Sequence, residues 1–246
     1  MVIDQLPNGE WQQFAGPTKI SQYSTVSRQW VVRTQKRHFE SVRFRDQSSL
    51  EKWRTTIEPD PSGVSCHTRE LTWNNVDTLE GFDSHIRAFT HVKTATLAVC
   101  GALRLPSIVE TLAPMGSTIV KLGIDGGSTT YSIITSLLAA LPRLRHLRVH
   151  WLEVSGDRDV TVPRPKVPFF EDADILDLRI SWGSLDWICP SARVRDLRID
   201  PCCISLESGR VQQVIFSSAS SLKFLSIKTG GGTCLNHFSS ISLLTV

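Results

Sequence analysis

The segment Leu122 to Ile133, LGIDGGSTTYSI, holds the residue types best suited to chemistry. A strand running into Asp125, Gly126, Gly127, Ser128, Thr129 and Thr130 has the make-up of a phosphate cradle. Glycines let backbone amides approach an anion, and the hydroxyls add donors. The same composition also serves a plain turn between a strand and a helix. His146 and His150 lie four residues apart, the spacing at which a helix presents two metal ligands. They fall in an alternating strand pattern with no third ligand near, and read as exposed strand residues. Asp172 and Asp174 stand at a loop entry and read as solvated acids, and Cys66-His67 is isolated. The six cysteines (Cys66, Cys100, Cys189, Cys202, Cys203 and Cys234) form no C-x-x-C pair. Without such knuckles a zinc site is not indicated, and reduced, partly buried thiols are expected. The chain has no G-x-S-x-G, Walker or H-E-x-x-H motif. The glycines Gly230 to Gly232 lead into no phosphate-binding pattern and read as a turn.

The Asp125 to Thr130 loop resembles the first phosphate loop of actin-like and sugar-kinase ATPases. Such a loop opens its domain and leads into a β-hairpin. Here it falls mid-chain and leads into a helical stretch, with no second phosphate loop. An ATPase of that kind is therefore the least favoured of three readings. The expectation is a non-enzyme with no cofactor and no metal.

The elements around these residues are organised by repetition. A pattern of apolar, x, x, Leu, x, apolar recurs as IVKLGI (Ile119 to Ile124), LRHLRV (Leu144 to Val149), ILDLRI (Ile175 to Ile180), VRDLRI (Val194 to Ile199) and LKFLSI (Leu222 to Ile227). Weaker copies are FESVRF (Phe39 to Phe44), TRELTW (Thr68 to Trp73) and TATLAV (Thr94 to Val99). The central residues read as Val42, Leu71, Leu97, Leu122, Leu147, Leu178, Leu197 and Leu225, about 26 residues apart on average, within the roughly 20–29 of leucine-rich repeats. Within each copy the alternation is that of a strand with one buried face. Helical stretches lie between: SSLEKWRTTI (Ser48 to Ile57) with a serine cap, LPSIVETL (Leu105 to Leu112), YSIITSLLAALP (Tyr131 to Pro142) and GRVQQVIFSSA (Gly209 to Ala219). Strand then helix, repeated, predicts an α/β fold, a parallel sheet with helices on one side. One unit cannot bury its own apolar face, so the units must stack. The expected form is an irregular leucine-rich-repeat-like solenoid with a curved sheet. It lacks the usual asparagine after each strand, and it carries a proline-rich insertion at Val160 to Pro168. The C-terminal SSISLLTV has no polar cap, which reads as a truncated end or a pairing surface.

Composition sets the class. With 41% hydrophobic and 21% charged residues in 246, the chain is ordinary for a globular protein. A net charge of +3 argues for neither nucleic acid nor membrane binding. No apolar run of membrane-spanning length and no secretory signal pattern occurs. A cytoplasmic or nuclear location is expected.

The segment Ser24 to Phe44, STVSRQWVVRTQKRHFESVRF, resembles the second half of the F-box in fungal F-box proteins with divergent leucine-rich repeats. The matching residues are Val26, Ser27, Arg28 and Trp30, followed by Phe39, Val42 and Phe44 at the entry to the first repeat. The later strand pattern is similar to that family too. The resemblance implies an F-box-like segment at 1–44 and a repeat region at 45–246. It also implies that Leu6, Pro7, Val26, Ser27 and Trp30 meet the Skp-type adaptor of a cullin ubiquitin ligase while the repeats hold an unknown protein substrate. At the start the chain departs from the family. Leu6-Pro7-Asn8-Gly9-Glu10 is followed by Gly16 and Pro17, which break any helix there. This keeps a second reading open: a repeat scaffold without a ubiquitin role, whose N-terminus is only a cap.

In leucine-rich-repeat folds the strands line a concave face. The outward residues here would include Lys121, His146, Arg148, His150, Asp177, Arg179, Asp196 and Arg198, with Thr72, Asp125, Phe224 and Lys228. Neither charge sign dominates, which favours a protein partner over nucleic acid.

Overall fold

The structure, a computed structural model, describes residues 39–46, 48–49, 51, 53, 65–74, 89–101, 107–155, 167–179, 187–200, 209–227 and 241–243. The F-box-like residues Leu6, Pro7, Val26, Ser27 and Trp30 lie outside the described residues, as do Lys228, Gly230 to Gly232 and most of the proline-rich insertion.

Eleven strands are described: β1 (Ser41–Phe44), β2 (Glu70–Asn74), β3 (Thr94–Ala98), β4 (Lys121–Asp125), β5 (Ser128–Thr130), β6 (His146–His150), β7 (Glu153–Ser155), β8 (Ala173–Arg179), β9 (Val194–Ile199), β10 (Phe224–Ile227) and β11 (Ile241–Leu243). The α-helices whose bounds fall within the described residues are α1 (Ser107–Leu112), α2 (Tyr131–Ala139) and α3 (Gly209–Ser218). Nine strands form one sheet in the order β1-β2-β3-β4-β6-β8-β9-β10-β11, which follows the chain. The first eight are parallel, and β11 runs antiparallel to β10. All eight copies of the sequence pattern are these eight parallel strands. The short β5 and β7 form a second parallel pair. The fold is thus α/β with a mostly parallel sheet.

The strands form where Leu, Ile and Val alternate with polar residues, and the alternation sets the buried face. One inward row runs Val42, Leu71, Ala95, Leu122, Leu147, Leu176, Leu197 and Leu225. A second runs Phe44, Trp73, Leu97, Ile124, Val149, Leu178, Ile199 and Ile227. All but Ile227 are buried. The register corrects the phase expected from sequence. Leu97 and Leu178 belong to the second row, and the counterparts of Leu71 and Leu147 are Ala95 and Leu176. A two-residue slip keeps every side chain on its own face, so alternation alone does not detect it.

Helices α1, α2 and α3 cover the inward rows. Ile108 and Leu112, Ile134, Leu137 and Leu138, and Val211 and Val214 join the strand residues in one buried cluster. Each buried Leu or Ile contributes about 1.5–3 kcal/mol. At the β1 end the core is aromatic: Phe44 packs edge-on to Trp53 at 5.9 Å, and Trp53 stacks on Phe89 at 5.5 Å. Residues 41–44, assigned from sequence to the N-terminal segment, are thus the first strand of the sheet. The helical residues Ser48, Ser49, Glu51 and Trp53 are capped by Asp46 and not by serine. The Asp46 carboxylate accepts from the Ser49 amide at 2.8 Å, and the Ser49 hydroxyl oxygen accepts from the Asp46 amide at 3.1 Å. This reciprocal arrangement satisfies two amides at the helix start.

Neighbouring units dock through one repeated contact at the strand entries. The Glu40 carbonyl accepts from the amides of Arg69 and Glu70, and the Arg69 carbonyl from Lys93 and Thr94. The Lys93 carbonyl then accepts from Val120 and Lys121, the Val120 carbonyl from Arg145 and His146, and the Arg145 carbonyl from Asp174 and Ile175.

Candidate partner-binding face

The side of the sheet away from the helices carries the polar half of each strand. Its middle row, in register, is Arg43, Thr72, Thr96, Gly123, Arg148, Asp177, Arg198 and Ser226. On one side lies the row holding Lys121, His146, Ile175, Asp196 and Phe224. On the other lie Asp125, His150 and Arg179. The eight expected face residues (Lys121, His146, Arg148, His150, Asp177, Arg179, Asp196 and Arg198) therefore share one side of the sheet, because parallel in-register pairing aligns their alternation.

Their environments differ. Lys121, Arg148, Arg179 and Arg198 are exposed, and His146, Asp177 and Asp196 are half-buried. His150, expected to be exposed, is buried at 8%. It sits between Asp125 and Arg179 in its row, with the Asp177 carboxylate of the next strand near its Nε2. His150 Nε2 lies 3.5 Å from Asp177 Oδ2 without the geometry of a hydrogen bond. Burial pushes the His150 pKa below the ordinary histidine value, and Arg148 and Arg179 reinforce this against the opposing pull of Asp177. Burial and Lys121 lower His146 in the same way, opposed by Asp174 and Asp196. The two histidines sit four residues apart along a strand, about 13 Å, which is too far to share a metal. Among the described residues no group of three His, Cys, Asp or Glu side chains is placed to hold one.

The cations divide into paired and open. The Arg198 guanidinium donates to both Asp196 carboxylate oxygens, at 2.8 and 3.1 Å, and lies 5.5 Å from the Phe224 ring centroid. That carboxylate holds the Arg198 pKa above the ordinary arginine value. Arg179 Nε lies 3.9 Å from Asp177 Oδ1, and Arg148 makes no hydrogen bond or ion pair among the described residues. At the strand entries, Arg145 and Arg195 bracket Asp172, and Arg195 also reaches Asp174 at 3.0 Å. Asp172 and Asp174 are therefore ion-paired, and Asp174 lies within β8 instead of on a loop.

The phosphate-cradle segment forms a turn. Gly126 and Gly127 both adopt φ of +82°. A Cβ at Gly126 would stand 2.5 Å from the Val99 carbonyl oxygen, and one at Gly127 would stand 2.5 Å from Val99 Cγ1. These glycines let adjacent turns stack closely. The Gly126 amide donates to the His150 carbonyl and the Ser128 amide to the Gly101 carbonyl, so neither points at an empty cradle. Thr129 is buried. Cys66, Cys100 and Cys189 carry thiols, of which Cys100 is exposed.

Sequence reasoning missed Trp151. It follows β6 with φ of 57°, is 51% exposed, and donates its amide to the Arg179 carbonyl. No periodicity marks it, because its peculiarity lies in the backbone.

No family model, no curated protein and no solved structure matches the chain. No helix among the described residues is long and apolar enough to cross a membrane.

Proposed function

We propose that this chain is a non-catalytic interaction protein, an irregular leucine-rich-repeat-like solenoid that binds a protein partner on its open sheet face. The observation that carries the reading is the strand-entry contact repeated from Glu40 to Arg145 in a sheet whose order follows the chain. Units that each touch only their neighbours are the construction principle of solenoids, which use one extended face for binding. The mixed Arg, Asp and His surface suits a protein partner.

The specific form of this reading is a substrate-recognition subunit of a Skp-cullin-F-box ubiquitin ligase, acting inside the cell. It is supported by the resemblance of Val26, Ser27 and Trp30 to the second half of the F-box. The test is co-purification with a Skp-type adaptor. Stoichiometric binding by wild type that Trp30→Ala abolishes without unfolding the chain is the expected result. A folded wild-type chain that binds no adaptor would contradict it. Gly9, Gly16 and Pro17 at the start favour the second reading, a repeat scaffold without adaptor binding.

A further inference from the structure

We draw no further inference here: the strongest candidate, the patch of Arg148, Arg179 and the exposed Trp151 on the open sheet face, carries none, because Asp125, Asp177 and Asp200 stand among its cations and nothing in the structure shows what covers it.

Discussion

His150 reaches diagonally from β6 to Asp177 on β8, placing Nε2 3.5 Å from Oδ2 with only 11% and 15% of the two side chains exposed. The in-register neighbour of Asp177 is Arg148, so the contact crosses the ladder. Burial still outweighs the aspartate, so the folded chain favours the neutral imidazole more than the unfolded chain does. A histidine whose folded pKa is lowered binds its proton more tightly when unfolded. Its contribution is complete above the ordinary value of about 6.5 and is lost as pH falls through it. His146 shifts in the same direction. Denaturant midpoints should therefore drop between about pH 7.5 and 5.5, and the drop should be shallower in His150→Gln. An equal drop in that variant would remove His150 as the cause.

The register makes a prediction that alternation alone does not. Ala95 lies inward between Leu71 and Leu122 and is fully buried. Ala95→Leu should overpack the row and cost about 1–3 kcal/mol by chemical denaturation. Leu122→Ala, in the same row, should cost about 2–5 kcal/mol through the cavity it leaves. A neutral Ala95→Leu would mean that Ala95 does not occupy the inward row.

The turn at Gly126 and Gly127 is built for close stacking. Gly127→Ala should destabilise by about 1–3 kcal/mol, since φ of +82° and the approach of Val99 both oppose a Cβ. Magnesium and ATP should leave the thermal midpoint unchanged in wild type and in Asp125→Ala alike. A nucleotide-dependent shift that Asp125→Ala removes would revive the phosphotransferase reading.

Ser218 staples α3 to the preceding unit. Its hydroxyl is fully buried, accepts the Val194 amide at 3.0 Å and donates to the Ala192 carbonyl at 3.0 Å. Ser218→Ala leaves that buried amide unsatisfied and should cost about 1–3 kcal/mol, read as a shift in denaturant midpoint.

Much of this architecture is legible in the residues. The alternation of LRHLRV and VRDLRI specifies a strand and its inward face, and Pro142 ends α2 as expected, with the helix running Tyr131–Ala139. The face residues follow from the same period. Other features depend on contacts between units and leave no local signal. The phase of Leu97 and Leu178 is one, since a two-residue slip preserves the pattern. The burial of His150 is another, because it depends on what the neighbouring strands place beside it, Asp177 of β8 among them. The Asp46 cap has a local signal, because an aspartate just ahead of an amphipathic run is a favoured N-cap residue. The short strands β5 and β7 carry three residues each, too few to show a period.

In the proposed reading, adaptor binding and partner capture occupy separate parts of one chain. The most direct measurement is adaptor co-purification with wild type, Trp30→Ala and Arg148→Ala/Arg179→Ala side by side. The account predicts adaptor bound by wild type and by the arginine variant, and lost in Trp30→Ala with the fold retained. A folded wild type that binds no adaptor, or an arginine variant that loses it, would contradict the account.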